Sequence, residues 1–283
     1  MSHAIETIQS DCLQASVPFA VILPEGDGPF PVLYDLHGLL SDEGPYTPRP
    51  TPRTFFEKLA FRKYQQVADE TGTAIVKPNG GRGWYIDSPR VENSQYESHI
   101  ISELIPYVES SFPSIGKKKQ AATQLLPILG KQEARGLSGH SMGGMGVISF
   151  LCRYPEMFSV GSTRCASLRF IPPDDPRGSY IEDLMSDAEL RAAFPNRFLR
   201  GLLRDDLRLR ITVGQKDKPR IVSGNRALHA FLLKNGQPHL YDETPDGHEY
   251  VPHGWAGMVW AAKQLSIPGM RSSGVKERGS IGW

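Results

Sequence analysis

Between Arg135 and Tyr154 a short segment suited to a strand, Arg135 to His140, runs straight into a helical one, Met142 to Tyr154, with Gly139-His140-Ser141-Met142-Gly143-Gly144 at the joint. This join is one unit of a longer alternation. Pro18 to Leu23 and Pro31 to Leu36 read as strands separated by a Gly-Asp-Gly-Pro turn. Thr54 to Thr71 carries apolar residues at Phe56, Leu59, Ala60, Tyr64, Val67 and Ala68, a helical period. A strand over Thr73 to Lys77 and a helix over Tyr96 to Phe112 follow, with Pro106 expected to remove one hydrogen bond and bend that helix. Leu207 to Val213, Ile221 to Lys234, His239 to Glu243 and Gly254 to Leu265 continue strand, helix, strand, helix. Such alternation specifies an α/β fold, a mostly parallel central sheet with helices on both faces.

Composition narrows the function classes. The 32 basic and 31 acidic residues leave a net charge of +1, without the basic excess that drives nucleic-acid binding. The longest apolar run, Val17 to Leu23, contains Pro18 and is far too short to span a membrane. The first residues have neither a basic start nor a long apolar stretch, so no signal peptide is read and a cytoplasmic location is expected. Three cysteines, Cys12, Cys152 and Cys165, stand at unrelated spacings and fit reduced thiols. One domain is expected over residues 1–265, with residues 165–200 as a small cap excursion and residues 266–283 as a flexible tail. Lys117-Lys118-Lys119 reads as part of a solvated loop within residues 116–133.

The joint itself carries chemistry. Gly139 to Gly143 matches G-x-S-x-G, in which a serine sits on a sharp strand-to-helix turn that only small neighbours allow. A serine hydroxyl needs a base to take its proton. In strand–helix hydrolases the chain order is serine, acid, histidine, which leaves His229, His239 and His248 as candidates and His253 as an outsider. His248 is selected because it follows Asp246-Gly247 in a loop before the last helix. For the acid, Asp217 lies just past the strand ending at Gly214, with Asp246 as a substitute close to His248 in sequence. Asp217 would orient the imidazole and stabilise its cation. Two backbone N–H groups should form an oxyanion hole, that of Met142 at the helix start and that of Leu39 in Leu36-His37-Gly38-Leu39-Leu40.

Four motifs then occur in order: Tyr34-Asp35-Leu36-His37-Gly38-Leu39, Pro78-Asn79-Gly80-Gly81-Arg82-Gly83-Trp84-Tyr85, Glu103-Leu104-Ile105-Pro106-Tyr107-Val108, and Gly139-His140-Ser141-Met142-Gly143-Gly144. Over about residues 18–265 the chain resembles the putative-esterase family of α/β-hydrolases, which groups tributyrin-type esterases, feruloyl esterases, S-formylglutathione hydrolases and mycolyltransferases. The resemblance implies an α/β-hydrolase fold, a triad of Ser141, Asp217 and His248, an oxyanion hole from Leu39 and Met142, and no cofactor. It implies a serine carboxylesterase acting on a small-molecule ester, with a thioester hydrolase, an acyltransferase or a catalytically silent binding protein as alternatives, and it leaves self-association open. Trp84 and Tyr85 could line the ester pocket and Arg82 could meet a polar or acidic group. The alternative is that the two aromatics pack their loop onto the helix Tyr96 to Phe112. A metal site is the outlying reading of the segment His239 to His253, but His248 and His253 are one residue too far apart for a zincin helix and Pro252 breaks it.

Overall fold

The computed structural model describes residues 3–26, 28, 30–39, 55–112, 134–168, 184–194 and 197–265. Eight strands form one sheet in the order β1-β2-β4-β3-β5-β6-β7-β8. They are β1 (His3–Ser10), β2 (Ala15–Ile22), β3 (Val32–Leu36), β4 (Ala74–Lys77), β5 (Arg135–His140), β6 (Val160–Arg164), β7 (Arg208–Gly214) and β8 (Leu240–Thr244). β1 and β2 pair antiparallel and β2 joins β4 antiparallel, while β4 through β8 are parallel. The alternation expected from the sequence is therefore present, with two strands it did not predict, β1 and β6.

The inner strands of the sheet are buried on both faces, while the edge strand β8 is largely exposed, and the two-residue period of the inner strands divides the core. Phe19, Val21, Val32, Tyr34, Leu36 and Val76 face one layer, which includes Val147, Phe150 and Leu151 of α4 (Met142–Arg153). Ala20, Ile22, Leu33 and Ile75 face the other, packed by α1 (Phe55–Thr71) and α7 (His253–Gln264). α6 (Pro219–Lys234) adds Leu228 and Leu232 to the first layer.

The stretch read as one helix from Tyr96 is a composite. α2 (Tyr96–Ser98) passes into a π-helix (His99–Leu104) and then α3 (Ile105–Ser111). Pro106 falls in the first turn of α3, where a missing N–H costs little, so the irregularity lies before the proline and not at it. Part of the expected cap excursion contains α5 (Asp187–Ala193), opened by a capping box between Ser186 and Glu189, and a 3₁₀ turn (Phe198–Leu202). Leu184, Met185, Phe194 and Leu202 bury against the main core. Residues 169–183, 195–196, 116–133 and 266–283 lie outside the described residues, and with them the lysine run and the tail. No helix among the described residues is long and apolar enough to cross a membrane.

Candidate active site

The chain leaves β3 toward β4 on one side and returns to place β5 on the other, so the order in which the parallel strands are added reverses between β3 and β5. Open parallel sheets form their ligand crevices at the carboxyl ends of strands beside such a reversal. Ser141 follows β5 there, and Leu39 follows β3.

Ser141 adopts φ 56° and ψ −114°, a left-sided conformation that costs a non-glycine residue about 1–3 kcal/mol. The turn is held because the Ser141 N–H donates to the Arg164 carbonyl (3.0 Å) and the Ser141 carbonyl accepts from Ser167 N–H (3.0 Å). Only glycine fits the two flanking positions. A Cβ on Gly139 would lie 2.4 Å from the Gly143 carbonyl oxygen, and one on Gly143 would lie 1.9 Å from that of Leu36. The second clash shows how closely the β3 loop lies against the start of α4. Ser141 occupies the N-cap of α4 yet makes no capping bond, so its hydroxyl is directed elsewhere.

That hydroxyl meets His248. Ser141 Oγ is 2.9 Å from His248 Nε2, and His248 Nδ1 is 2.7 Å from Asp217 Oδ2. A carboxylate only accepts, so Nδ1 carries the hydrogen and Nε2 presents its lone pair to the serine. The loops bearing the two residues are joined by backbone bonds from Gln215 N–H to the Thr244 carbonyl (2.8 Å) and from Lys216 N–H to that of Asp246 (2.9 Å). Asp217 has a fully buried side chain. Burial works to raise its carboxyl, but the hydrogen bond and electrostatic attraction of His248, the hydrogen bond with Cys165 and that with the Lys218 amide outweigh it, holding Asp217 below the ordinary carboxylate range. Asp246, the substitute weighed from the sequence, turns away from His248 and pairs with Arg164 at 2.9 Å.

The candidate oxyanion donors flank the serine. Met142 is the first residue of α4, where a helix leaves its N–H groups unbonded by its own carbonyls. The Leu39 loop is pinned by His37, which donates from Nδ1 to the Gly38 carbonyl (2.8 Å) and accepts from Gly80 N–H at Nε2 (2.9 Å). Behind Gly38 and His140 lies a cavity of about 120 Å³ that also meets Asp35, Tyr64, Lys77 and Tyr250. Lys77 Nζ contacts Asp35 Oδ2 at 3.0 Å, and Tyr64 OH donates to the same oxygen at 2.8 Å.

Trp84 and Tyr85 stand apart from the pocket expectation. They are 3% and 0% exposed and belong to the core. Tyr85 packs edge-on against Phe150 of α4 and donates its hydroxyl to the His37 carbonyl (3.3 Å), so burial supports the packing alternative, with α4 as a partner the sequence did not indicate. Arg82 is exposed. In the segment read as an outlying metal site, His248 and His253 go to separate partners, Asp217 and Asp246. Cys165, Asp217 and His248 do bring ligand atoms within 4.8 Å of one another. Burial pushes the Cys165 thiol up to about 12, and the protonated thiol is a hydrogen-bonding neighbour of Asp217. Two further residues at the site, Arg164 and the ring of His140, were not legible in the sequence as parts of it. β6 lacks the apolar run that marks a strand, and both contacts are long-range.

The fold and the site define an α/β-hydrolase. Residues 10–263 match the family model described as Putative esterase, and the chain belongs to that family. It is 24% identical over 250 residues to Esterase Rv1288 of Mycobacterium tuberculosis (strain ATCC 25618 / H37Rv), covering 79% of this chain and 49% of the relative. The chain thus spans about half the length of the curated relatives it matches. Among solved structures it is similar to FphF, a fluorophosphonate-binding serine hydrolase of Staphylococcus aureus, with a TM-score of 0.70, 20% identity, and 92% and 98% of the two chains covered. It is also similar to an S-formylglutathione hydrolase from Agrobacterium tumefaciens, with a TM-score of 0.67, 21% identity, and 93% and 95% covered.

Proposed function

We propose that the chain is a serine carboxylesterase that hydrolyses short-chain or aromatic carboxylic esters through an acyl-enzyme on Ser141. The reading rests on one observation above all, the unbroken hydrogen-bonded line from Ser141 through His248 to buried Asp217. Membership of the esterase family and the fluorophosphonate-binding neighbour support it.

Ser141 Oγ attacks the ester carbonyl carbon while His248 Nε2 takes the hydroxyl proton. Asp217 holds the imidazole in this tautomer and offsets the charge it acquires. The carbonyl oxygen becomes an oxyanion facing the N–H groups of Met142 and Leu39, each worth about 3 kcal/mol in comparable sites. The tetrahedral intermediate collapses as His248 returns the proton to the departing alcohol. Water, activated by the same imidazole, then releases the carboxylic acid and restores Ser141.

The test combines p-nitrophenyl esters of rising chain length, methyl ferulate and a thioester with fluorophosphonate labelling. The thioester is included because one structural neighbour is an S-formylglutathione hydrolase. Turnover of short or aromatic esters with stoichiometric labelling of Ser141 is expected. Absence of both would overturn the reading, and preference for the thioester would move it to thioester hydrolysis.

A further inference from the structure

His248 is carried on a loop, and three consecutive main-chain carbonyls of that loop each accept a hydrogen bond from a strand-end side chain. Gly247 accepts from Arg164 Nη2 (3.1 Å), His248 from His140 Nε2 (2.8 Å) and Glu249 from Arg164 Nε (3.0 Å). The same guanidinium donates from Nη1 to Thr244 Oγ1 (2.8 Å) and pairs with Asp246 (2.9 Å). The Arg164 side chain is 2% exposed, so its charge is buried and depends on these partners.

Arg164 also reaches the other half of the site. It ends β6 beside His140 in the parallel register, and its own carbonyl accepts the Ser141 N–H at 3.0 Å. One residue therefore holds the nucleophile's backbone with its main chain and the base's loop with its side chain. Few backbone bonds of regular structure fix residues 245–252, which lie between β8 and α7. A planar guanidinium with five donors suits such a task, because it locks two carbonyls and a carboxylate in one geometry that an ammonium cannot reproduce.

Resting on the esterase reading above, we infer that Arg164, together with the His140 ring, is a positioning residue that clamps the His248 loop so that Nε2 meets Ser141 Oγ. It touches neither substrate nor reacting atoms. Its removal slows acylation without weakening substrate binding, since proton transfer depends steeply on the Ser141–His248 distance.

The experiment compares wild type, Arg164→Ala, Arg164→Lys and Asp246→Asn in ester turnover and in the rate of Ser141 labelling by a fluorophosphonate. Arg164→Ala is expected to lower kcat by about 100-fold with KM little changed, and to slow labelling in parallel. Millimolar guanidinium should restore part of its kcat by refilling the vacated site and should leave wild type unaffected. Arg164→Lys should recover little, lacking the fork. Should Arg164→Ala fail to fold, Asp246→Asn decides, because its side chain is partly exposed. It is expected to lose about tenfold in kcat at constant KM. Folded variants with wild-type kcat and labelling rate overturn the clamp while leaving the esterase reading intact. Wild type that neither turns over esters nor takes up the probe removes the esterase reading, and the clamp with it.

Discussion

His140 Nε2 lies 2.8 Å from the carbonyl oxygen of His248, 108 residues further along the chain, and the two rings stand 4.8 Å apart. A carbonyl only accepts, so His140 carries its hydrogen on Nε2 and bonds as a neutral ring. Burial first, and then the neighbouring His248, pull its pKa down to about 4.

The sign of the resulting pH dependence follows from linkage. In the unfolded chain His140 takes up a proton near the free-imidazole value of about 6.5, before the folded protein does. Its contribution to stability is therefore whole above about pH 6.5, declines as the pH falls and is lost below about 4. His99, lowered chiefly by burial, acts in the same direction. The melting temperature of wild type should fall across this window, and that of His140→Gln should fall less. Parallel curves would show that His140 binds its proton equally well in both states.

Ser141→Ala and His248→Ala should each remove most of the ester turnover, and the double variant should lose little more. Two residues on one proton path act as a unit, so their losses do not add. Near-wild-type kcat/KM in Ser141→Ala would exclude Ser141 as nucleophile.

Tyr85→Ala should destabilise the fold by about 3–5 kcal/mol in urea denaturation, the usual cost of emptying a large aromatic site. Ratios of kcat/KM between short-chain and aromatic esters should stay constant, because Tyr85 faces Phe150 and the His37 carbonyl. A changed ratio with little loss of stability would return Tyr85 to the pocket wall.

The buried pair of Asp35 and Lys77 yields a prediction of a different kind. Both lie on the strand face that meets α1, which is why Tyr64 can share the Asp35 oxygen. Lys77→Met leaves a buried carboxylate without its cation and should cost about 3–5 kcal/mol. Combining it with Asp35→Asn should recover much of that loss, since the remaining groups are neutral. A double variant as unstable as the sum of the single ones would mean the two side chains do not interact.

Much of this site was legible locally. Gly139, Ser141 and Gly143 reveal the elbow because the requirement for small residues around a strained turn acts within a few positions. The parallel strands were visible where Val32-Leu33-Tyr34 and Ala74-Ile75-Val76 concentrate apolar residues, and His248 could be selected by chain order together with its place in a loop after Asp246-Gly247. Other features depended on partners far apart in the sequence. β6 went unread because Val160-Gly161-Ser162-Thr163-Arg164 lacks a strand's apolar signature and is buried by distant partners, β5 and β7 at its edges and α4 and α7 on its faces. Local spacing could not direct Asp217 to His248 and Asp246 to Arg164; the joining of the loops after β7 and β8 decides it. Trp84 and Tyr85 looked equally fit for a pocket or a core, since an aromatic ring suits both, and only tertiary packing, which sets Tyr85 against α4, put both in the core. The sequence by itself determined the layered α/β architecture and the nucleophile turn, because those follow from hydrophobic period and backbone sterics. The tertiary structure alone decided that Asp246 pairs with Arg164 and that this cation holds the imidazole's loop, because hydrogen bonds between distant segments are chosen by the distances that folding brings about.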